Sequence, residues 1–230
     1  MPVPLNAFVD VAKVWFTEVL GYLINDSVPV KPNYAKGATP SDIDLICKNP
    51  DKNLKKISFS DGRSISLKQN LLVECKGFFD YNKSEFFKLL MDDLKLLKEH
   101  QRIYLPKTLP SKSSYFFFLR QEVFDKGKQI FGSYDFQRVI IGPFMRAPRK
   151  SLYSEDTLIK EYENRKIIII KMKDILENLF GFISDAKNAK KERNSENFNK
   201  LRKTYTLEML HLVATYYPEL LKRSNEKENT

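Results

Sequence analysis

Apolar residues recur at helical spacing in four parts of the chain. Residues 5–25 carry them on one side and polar residues on the other, which predicts an N-terminal amphipathic helix. Residues 84–101 show the same period and predict a second helix. Residues 174–187 and 195–217 predict two more helices. Residues 27–40 are interrupted by proline, so we expect them to be extended.

Shorter segments alternate between apolar and polar residues and predict strands. They are residues 41–48, 71–76, 115–120, 137–141 and 166–171, with a hairpin over residues 57–67 that turns at Asp61-Gly62. This order of elements indicates an α/β fold with a mixed central sheet flanked by helices. We expect an α/β domain over residues 1–172, a C-terminal helical extension packed on that core over residues 173–222, and a frayed tail over residues 223–230.

Composition and charge narrow the classes of function. The 230 residues are 42% hydrophobic, which is enough for a substantial core, and the formal net charge is +10. Such an excess of positive charge favours a polyanionic partner. There is no glycine-rich phosphate loop or dinucleotide fingerprint, no zinc-type cysteine spacing and no apolar run long enough to span a membrane. The first residues lack a basic region and carry Asp10, Lys13 and Glu18 within their apolar stretch, so we do not expect them to be a signal peptide. We therefore expect an intracellular, cytoplasmic protein.

Charged residues interrupt two of the apolar strands. Asp44 lies in the strand of residues 41–48, and alternation places Glu74 and Lys76 on one face of the strand of residues 71–76. If these strands are neighbours, the three side chains converge at one edge of the sheet. Carboxylates in such a cluster bind Mg²⁺ or Mn²⁺, and a nearby lysine can orient a water or neutralise developing charge.

The segments SDIDLI, at residues 41–46, and VECKG, at residues 73–77, resemble the motif of the PD-(D/E)XK nuclease superfamily. In that superfamily an N-terminal helix precedes a strand with an acidic residue, and a following strand carries (D/E)-x-K. Asp44, followed by two apolar residues, matches better than Asp42. Many members, including archaeal Holliday-junction resolvases, also use a glutamate on the first helix, and Glu18 is the matching residue here.

The resemblance implies a restriction-endonuclease-like core and a metal-dependent DNA endonuclease. Asp44, Glu74 and Glu18 would be metal ligands for Mg²⁺ or Mn²⁺, and Lys76 would complete the catalytic set. The expected substrate is double-stranded DNA, branched or otherwise structured. The expected assembly is a homodimer, without a membrane partner or a small-molecule cofactor. The motif resemblance covers about residues 5–101. The long hairpin between Asp44 and Glu74 and the C-terminal helices depart from compact resolvases. The lysine-rich and aromatic-rich composition is also similar to that of small proteins encoded by archaeal viruses or plasmids.

Basic residues gather in loops and at hairpin edges, where a DNA backbone could be gripped. The candidate DNA contacts are Lys48, Lys55, Lys56, Arg63, Arg146, Arg149 and Lys150. We expect them to contact phosphates and to recognise DNA shape, because no helix carries a base-reading pattern.

Simpler interpretations remain open for each of these features. Glu74 and Lys76 would also form an ion pair on an exposed strand face, and Glu18 would also be a solvated residue at a helix border. Cys47 and Cys75 are expected to be small buried residues, or a disulfide if their strands pair closely. The main alternative function is a non-catalytic DNA-binding or assembly protein on a nuclease-like fold. Binding to a membrane surface is a more distant alternative.

Overall fold

The computed structural model describes residues 7–30, 41–51, 53–76, 83–101, 103–108, 116–142 and 147–191. The helices are α1 (Ala7–Val14), α2 (Lys83–Glu99), α3 (Gln121–Phe131), α4 (Glu155–Glu163) and α5 (Met172–Lys191). The strands are β1 (Leu23–Val30), β2 (Ser41–Lys48), β3 (Lys55–Ser58), β4 (Ser64–Leu67), β5 (Asn70–Cys75), β6 (Gln137–Gly142) and β7 (Ile167–Lys171). The predicted helix over residues 195–217 and the predicted frayed tail lie outside the described residues.

Five strands form a mixed sheet in the order β1-β2-β5-β6-β7. β1, β2 and β5 pair antiparallel, whereas β5, β6 and β7 pair parallel. The prediction of an α/β fold with a mixed sheet flanked by helices is therefore confirmed. β3 and β4 form a separate two-stranded hairpin, as the Asp61-Gly62 signal predicted.

Each face of the sheet packs against its own set of elements. On the first face, Val73 and Cys75 of β5 are buried with α1, the β3–β4 hairpin and α5, and we call this the hairpin face. On the second face, Leu72 of β5 and Ile140 of β6 are buried with α2, α3 and α4, and we call this the α2 face. Apolar residues of β5, β6 and β7 are buried on both faces, because helices cover the parallel strands from either side.

The N-terminal helix is shorter than predicted. α1 ends at Val14, a π-helical turn follows over Trp15–Val19, and β1 begins at Leu23. Gly21 separates them with a φ of 75°, a left-handed conformation that glycine adopts without strain. The prediction of helix to residue 25 was therefore wrong at its end. Residues 27–30 of the predicted extended segment belong to β1.

The strand predicted over residues 115–120 was also wrong. Phe117–Leu119 form a 3₁₀ turn, Arg120 makes a single bridge to Leu105, and α3 follows from Gln121. Sequence analysis did not predict α3 or α4. α3 contains Gly127, which weakens a helical pattern, but a side chain there would meet Phe136 at 2.6 Å and Leu72 at 2.8 Å. The glycine is required because α3 packs directly on the sheet and its neighbours.

α5 follows β7 without a loop and is part of the core. Its residues Met172, Ile175, Leu179 and Ile183 are buried on the hairpin face. Among the helices of the described residues, none has both the length and the apolar character needed to cross a membrane.

Candidate active site

Glu74 and Lys76 lie together where β5 ends. The carboxylate of Glu74 forms an ion pair with Nζ of Lys76, and Glu74 is only 6% exposed. The backbone N–H of Lys76 donates to the carbonyl of Ile141 at 2.8 Å, which continues the pairing with β6 beyond the strand. Residues two apart on a strand share a face, so this pairing holds both side chains on the α2 face. Burial of the glutamate makes the nearby cation necessary, since an unpaired buried charge is costly.

Asp44 approaches the same point from β2. The ladder between β2 and β5 ends at Leu45 opposite Val73. One residue further, Oδ2 of Asp44 accepts the backbone N–H of Cys75 at 2.7 Å. A side-chain carboxylate thus binds a peptide group of β5 at the end of the ladder. The structure therefore brings Asp44, Glu74 and Lys76 to one edge of the sheet.

The Cys75 thiol lies next to these charges but on the opposite, hairpin face. Burial raises its pKa well above the ordinary value, the carboxylates of Asp44 and Glu74 raise it further, and Lys76 opposes them. Burial likewise raises the pKa of Cys47. Both cysteines are free and buried, as small apolar residues would be. Cys47 pairs with Leu71, four residues before Cys75, so the register keeps the two sulfurs apart.

The side chains that could coordinate a metal at this edge are few, but they suit a hard cation. Within the described ranges, no three His, Cys, Asp or Glu side chains form a metal-binding group. Asp44 and Glu74 supply two carboxylates on adjacent strands. Mg²⁺ is typically held by one or two carboxylates, with waters and substrate phosphates completing its shell. The residues present therefore fit such an ion, which Asp44 and Glu74 would hold.

Glu18 is not brought to this edge. It lies in the π-helical turn, which packs against β1 and α5 on the hairpin face. Glu74 alternates with Val73 and Cys75 and so faces the other side of the sheet. The turn also precedes the start of β1, whose first residue, Leu23, pairs with Lys48 at the far end of β2 from Asp44. The side chain of Asp42 is outside the described part, although its backbone pairs with Pro29.

The predicted DNA contacts of the hairpin region differ in their position, exposure and ion pairs. Lys48 is exposed but lies at the end of β2, opposite Asn70 and four residues from Asp44. Lys56 is exposed on the hairpin, and Lys55 pairs with Asp51 at 3.3 Å. Arg63 forms ion pairs with Asp61 and Asp174. Lys48 is therefore distant from the carboxylates, and Arg63 has a structural role.

Arg149 and Lys150 are both exposed in the segment that follows β6. The carboxyl ends of the parallel strands β5 and β6 lie at the same edge of the sheet, so the chain leaves β6 at the edge where Glu74 lies. Arg146, in the same segment, is outside the described residues.

Sequence analysis missed an ionic network at the end of β7. Nζ of Lys171 contacts Asp61 at 3.0 Å and Glu155 at 2.9 Å, while Arg63 contacts Asp61 at 2.8 Å and also binds Asp174. Alone, burial would raise the pKa of Asp61, but hydrogen bonds from Arg63 and Lys171 hold it below the usual range. A lysine directly after four isoleucines is the signal in the sequence, since it repeats the pattern of Lys76 after an apolar strand.

This network attaches the tip of the β3–β4 hairpin to α5 and α4. Asp174 is buried in the first turn of α5 and accepts the backbone N–H of Lys171 at 3.3 Å as well as the Arg63 guanidinium. Burial raises the pKa of Asp174. Arg63 therefore fixes the hairpin in place, a role that its position in a hairpin turn did not predict.

Comparison with protein-family models, with characterised proteins and with solved structures finds no match to this chain. The function is therefore inferred from the residues and their geometry.

Proposed function

We propose that this protein is a metal-dependent endonuclease that hydrolyses DNA phosphodiesters. The observation that carries the proposal is the meeting of Asp44 with the Glu74–Lys76 pair at the end of two adjacent strands. Asp44 is fixed by the N–H of Cys75, and Glu74 is buried beside Lys76. A pair of carboxylates with a lysine at a sheet edge has the composition of a phosphodiesterase centre.

Each residue has a separate task in this chemistry. A bound Mg²⁺ or Mn²⁺ would lower the pKa of a water and stabilise charge on the phosphoryl group. Asp44 and Glu74 would hold such an ion through their carboxylate oxygens. Lys76 orients the attacking water and offsets negative charge that develops on the phosphate. Glu18 has no assigned role, because it lies near the other end of β2 and on the other face.

The order of elements supports a relation to the PD-(D/E)XK superfamily. α1 precedes β2 with Asp44, and β5 carries Glu-Cys-Lys next to it in a mixed sheet. The β3–β4 hairpin between β2 and β5 is the departure from compact resolvases, and it packs on the hairpin face away from Glu74. A restriction-endonuclease-like core is therefore part of the proposal.

Charge supports DNA as the substrate. The net charge of +10 favours phosphate binding, and Arg149 and Lys150 are exposed in the segment that follows β6. By resemblance to Holliday-junction resolvases, we propose branched or structured DNA as the substrate and a homodimer as the active form, since symmetric cutting requires two sites.

The test is a cleavage assay on linear, nicked and four-way DNA with Mg²⁺ or Mn²⁺, and with EDTA as the metal-free control. Glu74→Gln and Lys76→Ala should each lower cleavage by at least about a hundredfold while DNA binding changes less than about twofold. Glu99→Gln and Lys95→Ala, both exposed on α2, are the matched controls and should cut at the wild-type rate. If the wild-type protein binds DNA but cuts none of these substrates with either metal, the proposed nuclease activity is refuted.

A non-catalytic DNA-binding protein is the second candidate. Its support is the ion pair itself, which already neutralises Glu74, together with the lack of a third acidic ligand among the described residues. Titration with Mn²⁺ distinguishes the two functions. The nuclease should bind Mn²⁺ in a manner that Asp44→Asn and Glu74→Gln abolish, whereas the binding protein should show no such dependence.

A further inference from the structure

A cavity of about 400 Å³ lies toward the amino end of β6. Arg138 lines it from β6, Phe124 from α3, and Tyr104 and Tyr134 from the adjoining segments. Arg138 pairs with Leu72 and lies two residues before Ile140, the residue opposite Glu74. The cavity therefore opens away from the end of β5 and contains none of the proposed nuclease residues. Its volume is in the range of small-molecule sites.

Aromatic rings form one wall of this cavity. Phe124 and Tyr134 stack with their centroids 5.1 Å apart and an interplanar angle of 17°. Tyr104 lies 5.0 Å from Phe124, measured between centroids, on the same cluster. Tyr134 is 51% exposed. An exposed aromatic ring beside a cavity offers a face on which a planar ligand can stack.

Arg138 provides a buried cation with an unused donor. Its side chain is 1% exposed, one terminal nitrogen donates to the carbonyl of Ile103, and Nη1 has no hydrogen-bond partner. Its guanidinium lies 5.5 Å from the Phe124 ring centroid. Burial lowers the pKa of Arg138 to about 9. Arg138 forms no ion pair within the described part of the chain, and Asp125, which also lines the cavity, binds Lys107 at 2.7 Å. A buried donor without a hydrogen-bond partner is costly, so this site favours a ligand that supplies an acceptor.

Two lysines add positive charge at the rim. Lys166 lines the cavity and is exposed, with a φ of 60° that places it in the left-handed region. Lys128 lies 4.5 Å from the centre of the Tyr134 ring. The cavity thus has a buried hydrogen-bond donor, an aromatic wall and a cationic rim.

We propose that this cavity binds a nucleotide. The base stacks on the Tyr134–Phe124 wall and offers an acceptor to Nη1 of Arg138, and the phosphate lies at the rim near Lys128 and Lys166. Stacking of bases on aromatic side chains and acceptance from arginine by base edges are the recurrent means of recognising nucleobases. Because Nη1 is covered, a side chain of the cavity wall moves when the base enters, and the half-exposed Tyr134 is the ring with the most room to do so.

Such a base can come from a free nucleotide or from an unstacked position in a nucleic acid strand. Isothermal titration of the full chain with GMP, and separately with a short single-stranded oligonucleotide, distinguishes these sources. Tighter binding of GMP per site identifies the free nucleotide, and tighter binding of the oligonucleotide identifies the strand. Tyr134→Ala should weaken binding of the preferred ligand about tenfold, as expected for the loss of one stacking partner.

Lys166→Asn tests the rim, because asparagine tolerates a left-handed backbone and lacks the charge. This variant should bind GMP severalfold more weakly than the wild type and should bind guanosine equally well. Arg138→Gln should abolish GMP binding, and circular dichroism checks that this variant folds. If it does not fold, binding by Tyr134→Ala and Lys166→Asn tests the site. Leu152→Ala, at a side chain that is 92% exposed, and Lys88→Asn are the controls and should bind as the wild type does.

Two results would overturn the nucleotide site. One is the absence of binding by both ligands at millimolar concentration, and the other is binding that Tyr134→Ala leaves unchanged or that inorganic phosphate reproduces alone. Glu74→Gln should retain GMP binding, so the failure of the nuclease and the failure of this site give different results.

Discussion

At the scale of the residue, Asp44 combines a structural bond with the proposed chemistry. Its Oδ2 accepts the N–H of Cys75 where the β2–β5 ladder ends, so the carboxylate replaces a main-chain acceptor. An asparagine could still accept this bond through its amide oxygen, but it would carry no charge. Substitutions at Asp44 can therefore separate the fold from the chemistry.

Asp44→Ala should lower the free energy of unfolding by about 1–3 kcal/mol, since the N–H of Cys75 loses its partner in a half-buried place. Asp44→Asn should cost less than about 1 kcal/mol, yet both variants should lose cleavage. Urea unfolding and the cleavage assay measure the two effects. Equal stability of the two variants would show that the hydrogen bond does not contribute.

At the scale of the element, the contact between β6 and α2 holds the end of the sheet. Gly142 is the last residue of β6, and the ring of Phe86 from α2 occupies the space that a side chain at Gly142 would take. Phe86 is fully buried, so its ring has no empty space to move into. Gly142 follows Ile141, whose carbonyl accepts the N–H of Lys76, so the contact also supports the proposed active site.

Gly142→Ala should therefore destabilise the protein by at least about 1–3 kcal/mol through overpacking. Gly181→Ala in α5 is the matched control, because nothing lies within 4 Å of a Cβ built there. It should be neutral or stabilising by about 0.5–1 kcal/mol, as expected for alanine in a helix. Thermal or urea unfolding compares the pair. Phe86→Leu should partly restore Gly142→Ala, and a stable Gly142→Ala single variant would contradict the packing.

At the scale of the whole molecule, a buried carboxyl makes stability depend on pH. Asp93 of α2 accepts the N–H of Phe116 at 2.7 Å. Burial, with a smaller contribution from the charge of Asp92, raises its pKa from 3.8 to about 7 against the opposing effect of the Phe116 bond. Between these values the folded state keeps a proton that the unfolded chain has released. The contribution of Asp93 to stability is therefore full below pH about 3.8 and declines as the pH rises toward about 7.

Asp93→Asn removes this titration while keeping an acceptor for Phe116. Relative to the wild type, the variant should gain stability as the pH rises from about 4.5 to about 8, because only the wild type loses its proton in this window. Urea midpoints at both pH values give the measurement, with Asp156→Asn, exposed on α4, as the control. A constant difference between Asp93→Asn and the wild type would show that Asp93 ionises in the ordinary range.

The features that depend on local period could be predicted from the sequence. Alternation placed Glu74 and Lys76 on one face, the Asp61-Gly62 turn gave the hairpin, and the strand order gave a mixed sheet. These features follow from the geometry of a single strand or turn, and residues close together in the chain determine that geometry.

Only the tertiary structure decided which distant residues meet. It brought Asp44 to Cys75, left Glu18 on the other face, and occupied Arg63 with Asp174. It also made a helix of α3 despite Gly127, because that glycine lets α3 pack on Phe136 and Leu72. Strand register and helix packing join residues far apart in the chain, so their free energy is set by contacts that no local pattern contains.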